Sequence, residues 1–148
     1  MGLNWSNFSP RHLSIAYLDN IPFMEYISFM EWEVLADEEF AAWFEKQPIG
    51  LQDEILINRN LLKQYGPKLG RPRVDSIKGS KFANMKELRV QWKGQPWRIL
   101  FAFDPKRRSI LLAGGSKQAD KRWYDKNIPI ADARFEKHLK RMEKNNGH

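Results

Sequence analysis

From Met30 the chain alternates, with Met30, Trp32 and Val34 set against Glu31, Glu33 and Leu35, the period of two that a short half-buried strand requires. Asp37 follows. Its carboxylate can cap the free N–H groups of a helix, and Glu38 and Glu39 suit the positive end of the helix dipole. Phe40, Trp43 and Phe44 recur at i, i+3, i+4, so the pattern predicts a helix stopped by Gln47-Pro48-Ile49-Gly50. A second helix is predicted from Leu51, with Leu51, Ile55, Asn58, Leu62 and Tyr65 on one face and Gly66-Pro67 as its stop. The short connection makes the two helices antiparallel.

Beyond the basic loop Lys68-Leu69-Gly70-Arg71-Pro72-Arg73 the period returns to two. Leu88, Val90 and Trp92 alternate with Glu87, Arg89 and Gln91, Lys93-Gly94-Gln95-Pro96 reads as a turn, and Trp97, Ile99, Phe101 and Phe103 alternate with Arg98, Leu100 and Ala102. That is a β-hairpin. Asp104-Pro105-Lys106-Arg107 makes the next turn, and a further strand runs from Ser109 to Ala113 and ends at Gly114-Gly115. Ile130, Ala131, Phe135, His138 and Met142 mark an amphipathic helix after Asn127-Ile128-Pro129. The fold class is therefore α+β: two N-terminal helices packed on a three- to four-stranded, mainly antiparallel sheet, with a C-terminal helix. Residues 1–29 show no sustained period. They read either as an N-terminal extension, added by an upstream start ahead of a domain at 30–148, or as an extra strand or helix.

At 148 residues, with 42% hydrophobic and 13% aromatic positions, the chain is one domain that can bury a core. Its formal charge of +7 lies wholly in residues 30–148, because residues 1–29 hold only one Arg, one Asp and one Glu. Such a surface favours an anionic partner, nucleic acid first. No cysteine is present, so disulfides, thiol nucleophiles and cysteine-containing zinc sites are excluded, and the cytoplasm is the expected compartment. His12, His138 and His148 lack metal-ligand spacing, and Gly114-Gly115 is too short to cradle a cofactor's phosphates, so neither metal nor cofactor is expected. No apolar run reaches the ~20 residues of a membrane span, and the first 29 residues lack the layout of a signal peptide.

Strand alternation puts Glu87, Arg89, Gln91 and Arg98 together on what reads as an open sheet face, away from the helices. Pairing Trp92 with Trp97 would set Gln91 opposite Arg98 and Arg89 on the diagonal, so that two guanidinium forks could grip one phosphate. The plain alternative is a solvated face with a Glu87–Arg89 ion pair. Further cations, Arg71, Arg73, Lys78 and Lys81, then Lys117, Lys121 and Arg122 beside Trp123 and Tyr124, add phosphate contacts and rings for stacking unpaired bases. Trp123 is expected to be buried and Tyr124 partly exposed; His138 reads as a packed, hydrogen-bonded residue.

The segments Lys78-Gly79, Asn84-Met85-Lys86-Glu87-Leu88-Arg89, Trp97 to Asp104, Leu111 to Lys117, Trp123-Tyr124 and Ile128 to Asp132, in this order, resemble the RelE/ParE toxin superfamily, in its HigB-like, phage-derived branch. The resemblance covers Met30 to about Met142. It implies a toxin of a type II toxin–antitoxin system, a ribosome-dependent endoribonuclease that cuts mRNA and is neutralised by a HigA-like helix-turn-helix antitoxin. The alternatives are a ParE-like, non-catalytic inhibitor of DNA gyrase and a plain RNA-binding domain. Carried over, Arg98 looks like the arginine that stabilises the transition state, Lys117 a second phosphate-contacting cation, Lys78 a substrate-binding residue and Tyr124 a catalytic tyrosine. Lysines that RelE carries on the strand before the hairpin are replaced here by Met85 and Glu87, so Glu87 or Tyr124 takes the proton-transfer role. Tyr124 would act as a base only if the neighbouring cations lowered its pKa. Lys81, Arg89, Arg73, Lys121 and Arg122 complete the expected substrate contacts.

Overall fold

A computed structural model describes residues 2–8, 31–117 and 122–146. Among these the order is β1 (Leu3–Asn4), β2 (Glu33–Ala36), α1 (Glu38–Glu45), α2 (Ile49–Tyr65), a 3-10 turn (Gly66–Lys68), β3 (Val74–Ser76), β4 (Met85–Trp92), β5 (Gln95–Phe103), β6 (Arg108–Ser116) and α3 (Trp123–Asn146). The strands form one sheet in the order β1-β2-β6-β5-β4-β3, with β2 parallel to β6 and every other pair antiparallel. The α+β class holds, but the described sheet has six strands rather than three or four. The two strands missing from the sequence reading, β1 and β3, have two and three residues, too few to display a period of two.

The helices form where capping and periodicity direct them. Asp37 Oδ2 accepts the N–H of Glu39 at 2.9 Å and of Phe40 at 3.1 Å, fixing the start of α1. Leu51, Ile55 and Leu62 turn inward from α2, whereas Tyr65, placed on that face by its spacing, is 46% exposed. The last turn still buries Leu62 and leaves Tyr65 at the solvent edge of the stripe.

Both faces of the sheet are covered. Leu88, Val90, Ile99 and Phe101 pack with Phe40, Phe44, Leu51 and Ile55 of α1 and α2; Leu100, Ala102, Ile110 and Leu112 pack with Trp123, Ile128, Ala131 and Phe135 of α3. The face read as open is therefore covered by α3 at Leu100 and Ala102, while Gln91 toward its other end stays exposed. That helix also begins earlier than predicted, at Trp123, and carries Pro129 inside it. Strand β6 likewise runs on through Gly114 and Gly115 to Ser116.

Of the alternatives for residues 1–29, residues 2–8 supply a strand and part of the core. Leu3 and Asn4 pair with Ala36 and Leu35, and Trp5 is buried against Phe40 and Phe44, with ring centroids 5.7 and 4.6 Å away. Arg59, itself buried, donates to the carbonyls of Trp5 at 2.6 Å and Phe8 at 2.7 Å. The other residues of that segment lie outside the described residues, as do His12, Lys121 and His148.

Candidate functional site

The hairpin turn sets the geometry of the site. Lys93 and Gly94 both adopt positive φ, 50° and 72°, the primed two-residue turn whose twist matches the flanking strands. Trp92 therefore pairs with Gln95, and Arg89 stands directly opposite Arg98, with Val90 opposite Trp97 and Gln91 opposite Pro96. The expected Trp92–Trp97 pairing and diagonal Arg89 are corrected by a shift of register.

Like charges placed directly opposite each other repel, and an anion between them relieves the repulsion. Glu87 supplies it. Its Oε1 lies 3.2 and 3.3 Å from Nη2 and Nε of Arg89, and its Oε2 lies 3.4 Å from Nε of Arg98. Tyr124 donates its hydroxyl to the same Oε2 at 2.5 Å. The two arginines thus grip a carboxylate rather than standing open for a phosphate. The Glu87–Arg89 pair weighed as an exposed feature is buried on the carboxylate side: Glu87 is 4% exposed and Arg98 8%. Arg98 donates from Nη1 to the Trp97 carbonyl at 3.1 Å, and its buried Nε makes no hydrogen bond.

Tyr124 reaches Glu87 because of a glycine. Gly115 pairs with Arg98 across β5 and β6, and a Cβ there would come within 2.5 Å of the Trp123 indole nitrogen. With no Cβ there, the nitrogen edge of the Trp123 indole closes on the strand, and Tyr124 follows it on the first turn of α3. Trp123 is buried and Tyr124 partly exposed, as the sequence implied. Lys117 sets its ammonium over the Tyr124 ring, 5.2 Å from the centroid. Burial, followed by the hydrogen bond and charge of Glu87, raises the phenol's pKa above its ordinary value, and Arg98 opposes this only in part. The expectation that cations would lower it is overturned, because the nearest charge is an anion. The phenol is a proton donor at neutral pH.

Two clefts open on either side of Arg89. One, of about 560 Å³, is lined by Arg71, Asp75, Ser76, Lys78, Glu87 and Tyr124; the other, of about 450 Å³, by Glu54, Asn58, Arg73, Gln91 and Arg98. Lys78 and Arg73, expected as substrate contacts, each line one of these clefts. Lys81 does not. It faces Glu136 of α3 at 3.5 Å, and its backbone N–H is held by Asp132 at 2.9 Å. Arg122 is exposed just ahead of α3. His138 is packed under the sheet against Asp104, at 3.0 Å, and takes no part in either cleft.

Sequence reasoning missed Asp75. Its Oδ2 accepts from Arg71 and Arg89, each at 3.1 Å, and the Arg71 hydrogen bond is the main cause of its lowered pKa. Only its place amid Arg71, Arg73 and Lys78 hinted at this, since β3 is too short to orient it. Glu54, Asn58 and Gln91 were likewise unassigned to a cleft. Among the described residues no group of three His, Cys, Asp or Glu could hold a metal ion, and no helix is long and apolar enough to cross a membrane.

Comparison with known proteins gives three findings. A family model described as phage derived protein Gp49-like matches residues 42–136, more than half of the chain. The chain is 59% identical over 81 residues to a protein that goes by the toxin name HigB3 in Mycobacterium tuberculosis (strain ATCC 25618 / H37Rv), covering 54% of this chain and 69% of that one. It is 41% identical over 108 residues to one that goes by the toxin name HigB2 in the same organism, covering 72% of this chain and 54% of that one, so it spans about half of that relative's length. No solved structure matches.

Proposed function

The chain belongs to the phage-derived Gp49-like family, and from its HigB-like relatives we propose that it is the toxin of a type II toxin–antitoxin pair, a ribosome-dependent endoribonuclease that cleaves mRNA in the cytoplasm and halts translation. One observation carries this reading: Arg89, Arg98, Glu87 and Tyr124 meet at the edge of a cleft that Lys78 also lines. A helix-turn-helix antitoxin of the HigA kind is its partner, with the ribosome and mRNA as target.

In this mechanism the scissile phosphate takes the place between the two guanidiniums and releases the Glu87 carboxylate to act as a base. The ribose 2′-oxygen attacks the adjacent phosphorus while Glu87 takes its proton. The bond from phosphorus to the 5′-oxygen breaks, Tyr124 protonates that oxygen, and a 2′,3′-cyclic phosphate remains. Acid and base assistance supply about 10² to 10⁴ in rate each. Arg98 and Arg89 hold the developing negative charge, where loss of one donor typically costs about 10² to 10³. Lys117 and Lys78 strengthen the positive field.

A second reading, inhibition of DNA gyrase without chemistry in the ParE manner, is favoured by the burial of Arg98, already engaged with Glu87. Induced expression followed by primer extension on translated mRNA decides between them. The nuclease reading expects growth arrest with discrete cuts, both abolished by Arg98→Ala in a protein whose circular dichroism is unchanged. Arrest without cuts, accompanied by DNA damage, supports gyrase. Cuts that survive in Arg98→Ala remove that residue from the mechanism.

A further inference from the structure

The second cleft lies on the far side of Arg89 from Tyr124, and its lining is chemically mixed. Arg73, Arg89 and Arg98 face it as cations; Glu54, Asn58 and Gln91 supply a carboxylate and two amides. Asn58 is spoken for, since its Oδ1 accepts from Arg73 at 3.1 Å and its Nδ2 donates to the Glu54 carbonyl at 2.8 Å. Glu54 has no ion pair and Gln91 no side-chain hydrogen bond among the described residues, although both line the same cleft as three arginines. Arg98 also lines the cleft, with its Nε turned to Glu87 at 3.4 Å, and Arg73 is exposed on the rim. A volume of about 450 Å³ accommodates one nucleotide.

Resting on the RNA-cleaving reading, we infer that this cleft is a nucleotide subsite for the residue next to the scissile phosphate and that it selects guanine. The neighbouring phosphate sits on Arg73 and Arg89, so the strand crosses Arg89 from one cleft to the other. The base lies toward Glu54 and Gln91. Guanine presents two adjacent N–H donors, N1 and N2, beside the O6 acceptor. A carboxylate accepts both donors and an amide N–H answers O6, so the pair Glu54 and Gln91 is complementary to that edge. Adenine and cytosine each set a ring-nitrogen acceptor beside their single amino group, and that acceptor would face a carboxylate oxygen. Uracil offers one donor flanked by two carbonyls. A good bidentate contact to a base discriminates by roughly tenfold or more.

The test is to map cut sites at nucleotide resolution in mRNA translated in a cell extract, with wild-type protein and with Glu54→Gln, and in parallel to measure binding of nine-nucleotide 2′-O-methyl uridine strands carrying a single central G, A, C or U. Expected are guanine enrichment at one fixed position beside the cuts, redistribution of the cuts among bases in Glu54→Gln, and about tenfold tighter binding of the G strand that disappears in that variant. Arg73→Ala should weaken all four strands together. Cuts without guanine enrichment, or an enrichment unchanged in Glu54→Gln, overturn the subsite and leave the nuclease reading standing. Absence of cutting by the wild-type protein overturns the nuclease reading and the subsite with it.

Discussion

Replacing Glu87 by Gln keeps the shape of the side chain and removes the charge that holds two opposed arginines together. Breaking a buried ion pair costs roughly 3–5 kcal/mol, whereas an exposed pair is worth at most about 1 kcal/mol. The cluster lies between these limits. The side chains of Glu87 and Arg98 are 6% and 10% exposed, but that of Arg89 is 35% exposed and keeps Asp75 as a partner. A loss of about 2–3 kcal/mol follows. For a domain of this size that is a fall in Tm of about 5–12 °C, read by thermal melting, with an unchanged urea m-value. The vacated position should then accept an anion. Inorganic phosphate at 100 times its Kd returns about 2.7 kcal/mol, so phosphate should raise the Tm of Glu87→Gln by several degrees more than that of the wild type, where Glu87 competes. The Tyr124 phenol should also titrate at lower pH in the variant, because Glu87 helps to raise its pKa while Arg98 remains to lower it. Equal Tm values, or equal stabilisation of both proteins by phosphate, would falsify the view that Glu87 occupies an anion seat.

Gly115→Ala should cost about 1–3 kcal/mol through the clash with Trp123, and on the proposed nuclease reading it should remove mRNA cutting even where the fold survives, since Tyr124 moves with its neighbour; cutting equal to that of the wild type would break the link between that glycine and the site. Trp5→Ala should cost about 3–5 kcal/mol in urea denaturation, as for other buried aromatics, and a loss under about 1 kcal/mol would detach residues 2–8 from the core. The Asp104 carboxyl is pushed up by burial but drawn down further by hydrogen bonds from His138 and Arg108, so its folded pKa lies below the ordinary 3.8. Its contribution to stability is therefore complete above that value and lost as pH falls through the folded pKa, so wild-type Tm should drop more steeply than that of Asp104→Asn below about pH 4; parallel curves would refute this.

Elements long enough to show their own period were legible in the chain. Helices α1 and α2 and strands β4 to β6 follow from apolar spacing and from Asp37, Pro48 and Gly66. The start of α3 was not, because Pro129 reads as a boundary. Proline inside a helix costs ~3 kcal/mol in lost hydrogen bonding and crowding. Here Trp123 and Ile128, both ahead of it in the chain, are buried on the sheet, and a single large apolar side chain fully buried returns about 1.5–3 kcal/mol. Tertiary packing therefore carries the helix across the proline. The same burial hid the second layer: a period of two in β4 and β5 shows which residues share a face but not whether a distant helix lies over it.

For the site, alternation alone was enough to group Glu87, Arg89 and Arg98, and their relative positions turned on a two-residue choice. Lys93-Gly94 and the longer Lys93-Gly94-Gln95-Pro96 both contain turn residues, and only the pair of positive φ angles selects the tighter loop. That choice brings one guanidinium opposite another, an arrangement that an anion between them stabilises. In the free chain the anion is internal, supplied two residues away on the same strand face. A phosphodiester offers the same charge with more oxygen acceptors for the two forks, so it competes for one location rather than adding to a filled one. On the proposed nuclease reading, substrate binding and release of the Glu87 carboxylate would then be a single event, with the base freed only when there is a phosphate for it to act beside.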